Sequence, residues 1–169
     1  MNSAELRALQ APLKDKYRHD PSSALVTLSA IARTNEGISC SVRTGRALVE
    51  AGLHPATGGD GTLACSGDML LEALAACAGV TLRAVATAIG ANIEHASITV
   101  EGDLDFRGTL GVSKEVPVGF QAIRLHFNLG NKLPEDVRST LIRLTERYCV
   151  VLRTLLETPK ISTAAQTSE

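Results

Sequence analysis

Leu6, Leu9, Leu13 and Tyr17 recur at steps of three and four, which predicts an amphipathic helix at the N-terminal end, with Pro12 starting or kinking a turn within it. After Asp20-Pro21-Ser22 the rhythm shortens to two. Val26, Leu28, Ala30 and Ala32 alternate with more polar neighbours, then Asn35-Glu36-Gly37 offers turn chemistry, and Ile38, Cys40 and Val42 alternate with Ser39, Ser41 and Arg43. This pattern predicts a hairpin over about 24–42, with a third short strand over 46–50. The stretch 54–61, His-Pro-Ala-Thr-Gly-Gly-Asp-Gly, is a loop because so many glycines forbid regular structure.

The longest apolar segment runs from Met69 to Ile89. Ser66 as N-cap, Asp68 in the first turn and Gly90 as C-cap predict a helix, and its nearly all-round Ala, Leu and Val character predicts a helix surrounded by protein. Glu72 and Arg83 leave only about ten uncharged residues between them, half of what a membrane span needs. Two alternating segments come next, around 96–101 and 123–129. A final helix opens at Pro134-Glu135-Asp136, with Val137, Leu141, Leu144 and Tyr148 on one stripe ending beside Cys149. Pro159 ends the helical pattern beyond Cys149, and 160–165 reads as a short closing strand. Hairpins, a buried helix, two strands and a second helix, without βαβ repeats, make an α+β class. The domain reading is an extension over 1–22 and one domain over 23–169.

Composition narrows the chemistry. Lys and Arg number 17 against 18 Asp and Glu. No large field is therefore available for a nucleic-acid backbone or an anionic membrane surface. The charged N-terminal segment has no apolar signal run, and four cysteines at 40, 65, 77 and 149 form no C-x-x-C pair. Reduced thiols in a cytoplasmic protein fit this usage. The histidines at 19, 54, 95 and 126 share no ligand spacing, so no metal is expected, and no nucleophile elbow or phosphate-cradling glycine motif is present.

An inert buried thiol is the default for any cysteine, and Cys40, between Ile38 and Val42 on an apolar strand face, keeps it. Cys65, directly before the Ser66 cap, reads as partly exposed. Cys77 and Cys149 lie in two further patterns. Gly58-Gly59 followed by Ser-Gly-Asp-Met-Leu-Leu-Glu-Ala-Leu-Ala-Ala-Cys over 66–77 resembles the glycine loop and cysteine helix of the OsmC and organic hydroperoxide resistance family. Glu-Arg-Tyr-Cys-Val-Val-Leu-Arg-Thr-Leu over 146–155 resembles that family's second cysteine segment. The resemblance runs from about Ala24 to the end and makes 23–169 an OsmC-like domain.

The resemblance implies an intertwined homodimer in which curved antiparallel sheets wrap two long central helices. It implies that a Cys77 thiolate attacks a small hydrophobic alkyl or fatty-acid hydroperoxide, that Cys149 resolves the sulfenic acid as a disulfide, and that an external dithiol, with no bound cofactor, restores the pair. A depressed thiol pKa requires a cation or hydrogen-bond donors near sulfur. The family takes an Arg from the first hairpin, matched in register by Arg33, with Arg43 and Arg46 as alternatives. A carboxylate near the start of the cysteine helix orients that Arg, matched by Asp68, with Glu72 as the alternative. This sequence departs from the family at Val150, where a Pro usually follows the second cysteine, and at Ser66-Gly67, where a small residue is commonly followed by Pro. The other reading of the same fold is non-catalytic, a thiol redox sensor or a binder of a hydrophobic ligand.

Overall fold

The computed structural model describes residues 2–20, 23, 30–34, 39–44, 47–93, 96–130 and 133–165, with backbone alone for 30–34, 39–44 and 47–48. The predicted strand positions at 24–29, the turn at 35–37, Arg46 and His95 lie outside the described residues.

Helix α1 spans Ser3–His19 and begins with a capping box, in which the Asn2 side chain accepts from the Glu5 N–H and Glu5 accepts from the Asn2 N–H. It continues through Pro12 and buries none of its residues. The proline thus neither starts nor ends the helix, although it removes one backbone donor.

Strands β1 (Ala30–Thr34), β2 (Ser39–Thr44) and β3 (Ala47–Gly52) form an antiparallel meander, and the two-residue β4 (Ala64–Cys65) pairs parallel with β3. Between β3 and β4 the chain folds back through a 3-10 turn at Pro55–Thr57. Gly58 there is left-handed at φ 94°, and the Gly59 N–H reaches the His54 carbonyl at 3.1 Å. A Cβ on Gly59 would lie 1.8 Å from the Leu53 carbonyl oxygen. The loop can close this tightly only because no side chain is there.

Closure of the loop delivers Cys65 to the start of α2 (Ser66–Ile89), the longest element. Cys65 rather than Ser66 is the N-cap, because β4 holds it in extended backbone and leaves Ser66 already helical. Gly90 ends the helix at φ 72°, as its position predicted. The pair β5 (Ser97–Asp103) and β6 (Ala122–Asn128) forms an antiparallel ribbon, with the four-residue α3 (Phe106–Thr109) between them. One face of the ribbon carries Ile98, Val100, Ile123 and Leu125 toward α2. The other is wet, and there Arg124 bonds Glu101 at 3.2 Å and Asp103 at 2.8 Å.

Helices α4 (Glu135–Tyr148) and α5 (Val150–Leu156) are two segments broken at Cys149. Both pack on α2, which buries Leu74, Ala78, Leu82 and Ala86, one residue per turn. The all-round apolar character of α2 therefore does not become all-round burial within one chain: Leu70, Val80 and Ile89 are exposed, Val80 at 73%. By length and composition α2 alone among the described helices could cross a membrane, yet its buried stripe is packed against helices and sheet of its own chain. Residues 160–165 form no strand; they are exposed and pair with no described strand.

Two substitutions test this packing by chemical denaturation. Leu82→Ala, at a residue 2% exposed, should cost about 2–5 kcal/mol. Gly59→Ala should cost roughly 2 kcal/mol or more, because its methyl group meets backbone rather than a side chain that can swing away.

Candidate active site

Cys77 lies midway along α2, beside the stripe formed by Leu74 and Ala78, and Cys149 lies at the break between α4 and α5. Packing α5 on α2 brings the two thiols together in one cluster with Leu74, Ala78, Ile98, Val100 and Leu125. Both are free thiols. Cys77 remains partly exposed, whereas Cys149 is fully buried.

The backbone at the break sets the electrostatics. Cys149 ends α4, its N–H bonding the Thr145 carbonyl at 2.9 Å, and it is also the N-cap of α5, its carbonyl accepting from the Arg153 N–H at 2.9 Å. Its thiol makes no capping hydrogen bond. The first N–H groups of α5 are thus left without partners in their own helix and face the cysteine pair.

Burial pushes the Cys77 thiol up, but the Val151 N–H, the Cys149 thiol, the Val150 N–H and the Thr81 hydroxyl all favour its thiolate and together bring its pKa below the ordinary thiol value. Cys149 moves the other way. Burial is the larger reason, and the neighbouring Cys77 sulfur adds to it, against the opposing help of the Leu152 and Val151 N–H groups.

The structure joins two of the sequence-predicted residues and separates a third. Asp68 is exposed on α2 nine residues before Cys77, about 13 Å along the axis, and lines a different cavity with His54 and Cys65. Glu72 is exposed and is not among the groups acting on either sulfur. Arg33 stands in β1 opposite Ser41, and Arg43 in β2 opposite Leu48. The side chains of both, like Arg46, lie outside the described residues. Cys40 is placed in backbone only, and Cys65 is partly exposed as expected.

Three donors to Cys77 were not read from the sequence. Thr81 was within reach of such reasoning, because it stands four residues after Cys77 on the same helix face. The Val150 and Val151 amides were not, because no Gly or Pro marks the break at Cys149. Val150 occupies the position where the family usually carries Pro, and a proline has no N–H to give.

The opposite shifts of the two thiols are measurable. A thiolate alkylates and a thiol does not, so a lowered pKa keeps Cys77 reactive toward lower pH and a raised one delays Cys149 to higher pH. Iodoacetamide rates resolved by peptide mapping should therefore show the Cys77 midpoint below that of an ordinary thiol and the Cys149 midpoint above it. Val150→Pro, at a first-turn position where proline is tolerated, should raise the Cys77 midpoint and slow its alkylation several-fold near neutral pH while leaving the circular dichroism spectrum intact.

Comparison with known proteins agrees with this architecture. The family model described as OsmC-like protein matches residues 59–164, which contain both cysteines. No curated protein matches the sequence significantly. Among solved structures, an OsmC-like protein from Mycoplasma pneumoniae is 20% identical with a TM-score of 0.66, covering 79% of this chain and 89% of its own. An organic hydroperoxide resistance protein from Legionella pneumophila is 20% identical with a TM-score of 0.61, covering 79% and 91%. An organic hydroperoxide resistance protein from Elizabethkingia anophelis is 17% identical with a TM-score of 0.63, again covering 79% and 91%. A glycine loop, a long cysteine helix and a second cysteine at a helix break, arranged in this fold and matched over most of the chain, make the protein a member of the OsmC-like family.

Proposed function

We propose that this protein is a thiol-dependent reductase of organic hydroperoxides, in which Cys77 attacks the peroxide and Cys149 resolves the product. The observation that carries this reading is the asymmetry of the pair. Cys77 is the more accessible and the more acidic thiol, and Cys149 is fully buried with its pKa raised. A peroxide therefore meets a thiolate at Cys77 first.

The Cys77 thiolate attacks the distal oxygen of the hydroperoxide and forms an S–O bond to it, displacing the alkoxide. The O–O bond breaks, an alcohol leaves after taking up a proton, and Cys77 becomes a sulfenic acid. With the negative charge on Cys77 gone, its part in holding the Cys149 pKa up disappears. Cys149 then loses its proton more readily, attacks the Cys77 sulfur and releases water, leaving a disulfide. An external dithiol reduces that disulfide, and no bound cofactor takes part.

An apolar cavity of about 300 Å3, lined by Leu74, Phe120, Ile123, Leu125, Leu152 and Leu155, supports an alkyl substrate. Leu74, Ile123, Leu125 and Leu152 pack in the same cluster as the cysteines. Arg33 is the cation we assign to the thiolate. A second copy of the chain supplies the cover for the exposed apolar positions of α2, and the setting is cytosolic. Membership of the family, and the likeness to organic hydroperoxide resistance proteins, support the same chemistry.

Stoichiometric cumene hydroperoxide followed by intact mass and peptide mapping tests the reaction. The parent should form a Cys77–Cys149 disulfide, Cys149→Ser should accumulate oxidised Cys77, and Cys77→Ser should lose roughly hundredfold or more of the peroxide consumption. An unoxidised Cys77 after minutes would leave the sensor or ligand-binding reading in its place. Sedimentation velocity should give a dimer for the parent, and Val80→Glu, which puts a charge on the uncovered face of α2, should shift it toward monomer.

A further inference from the structure

At the other end of α2 the chain builds a second cavity that the proposed reaction does not use. Its volume is about 210 Å3, and its walls include His54, Cys65, Asp68, Leu71, Phe106 and Phe120. Aromatic residues are scarce here, with no Trp, two Tyr and three Phe. Two of the three phenylalanines nevertheless border this one space. The His54 ring stacks on Phe106 with centroids 4.8 Å apart and planes 17° from parallel.

Glycines shape the cavity. At Gly102 a Cβ would stand 2.5 Å from the Phe120 ring, so that ring rests directly on bare backbone. At Gly67 a Cβ would lie 3.5 Å from Leu104 and 3.6 Å from both the Cys65 sulfur and the Phe120 ring. Those are ordinary contact distances, so a methyl group there would occupy open space without a clash.

The polar groups in the wall are few and complementary. His54 Nδ1 accepts from the Ala56 N–H at 3.0 Å, which leaves Nε2 to carry the ring proton. Asp68 contributes a carboxylate acceptor on the same wall. An apolar cavity of about 150 Å3 is enough for benzene, so this one has room for a ring with a small substituent.

We propose that this cavity binds a single-ring aromatic molecule bearing one hydroxyl or amine. The ring lies among Leu71, Phe106 and Phe120, and its polar group donates to Asp68, with His54 as the neighbouring donor. Cys65, in the same wall, is covered when the cavity is filled. The site excludes the cysteine pair, shares only the Phe120 wall with the cavity assigned to the alkyl substrate, and does not depend on the peroxide chemistry.

The test uses the full chain and 4-methylphenol. NMR should show saturable shifts at Phe106, Leu71 and Leu104, and alkylation of Cys65 by iodoacetamide should slow about fivefold at saturation while that of Cys77 stays unchanged. Gly67→Ala, which puts a methyl group into the cavity between Leu104 and Phe120 and suits the first turn of a helix, should weaken binding by about tenfold with the fold intact by circular dichroism. Should that variant misfold, Phe106→Leu serves instead, with the same expected loss. Absence of saturable shifts up to the solubility limit, shifts centred on the residues around Cys77, or a folded Gly67→Ala or Phe106→Leu that binds like the parent would each overturn the proposal.

Discussion

Everything in the candidate site depends on how α2 is held against α4 and α5. Leu74, Ala78, Leu82 and Ala86 put one residue per turn into that contact. Leu82 and Ala86 meet Leu141 from α4, while Leu74 and Ala78 meet Cys149 at the head of α5. The alternation of Leu and Ala lets the helices approach closely along this stripe. Because the same stripe contacts both helices, the position of Cys149 opposite Cys77 is set by the core itself. A site built on packed helices holds its geometry better than one carried on loops.

The break at Cys149 turns that packing into chemistry. A continuous helix would have spent the amides of 150–152 on its own carbonyls. Interrupting it leaves them free to act on sulfur, and this favours a negative charge at Cys77 without any charged side chain among the described contributors. The pair is polarised as a result: the exposed member is made acidic and the buried one is not. Thr145, one turn before Cys149, is fully buried with an unpartnered hydroxyl, a local cost of about 1–3 kcal/mol placed beside the reactive pair.

The sequence was most legible where periodicity was strong and endings were marked. The helix closed by Gly90 and the glycine loop at 58–61 stand where patterning put them, and the alternation read at 96–101 and 123–129 became strands at 97–103 and 122–128. It misled where a local signal was outvoted by tertiary context. Ser66 is a good cap by type, yet β4 made Cys65 the cap. Residues 160–165 read as a short closing strand, yet they stay exposed and pair with no described strand. The apolar character of α2 gave its need for cover and not the source of that cover, since residues such as Val80 are equally apolar whether their own chain or another buries them.

The sequence by itself determined the family, the α+β class, the long helix and the two cysteines that the fold brings together, because these derive from residue type, period and order along the chain. Only the tertiary structure decided which thiol is acidic and which is buried, which amides face the sulfur, and that Asp68 shares a cavity with His54 and Cys65 on this chain. The physical reason is that thiol acidity depends on the direction of N–H groups and on solvent access at distances of a few Å. Both are fixed by how helices pack and where they break, and Cys149 breaks its helix without any glycine or proline to announce it.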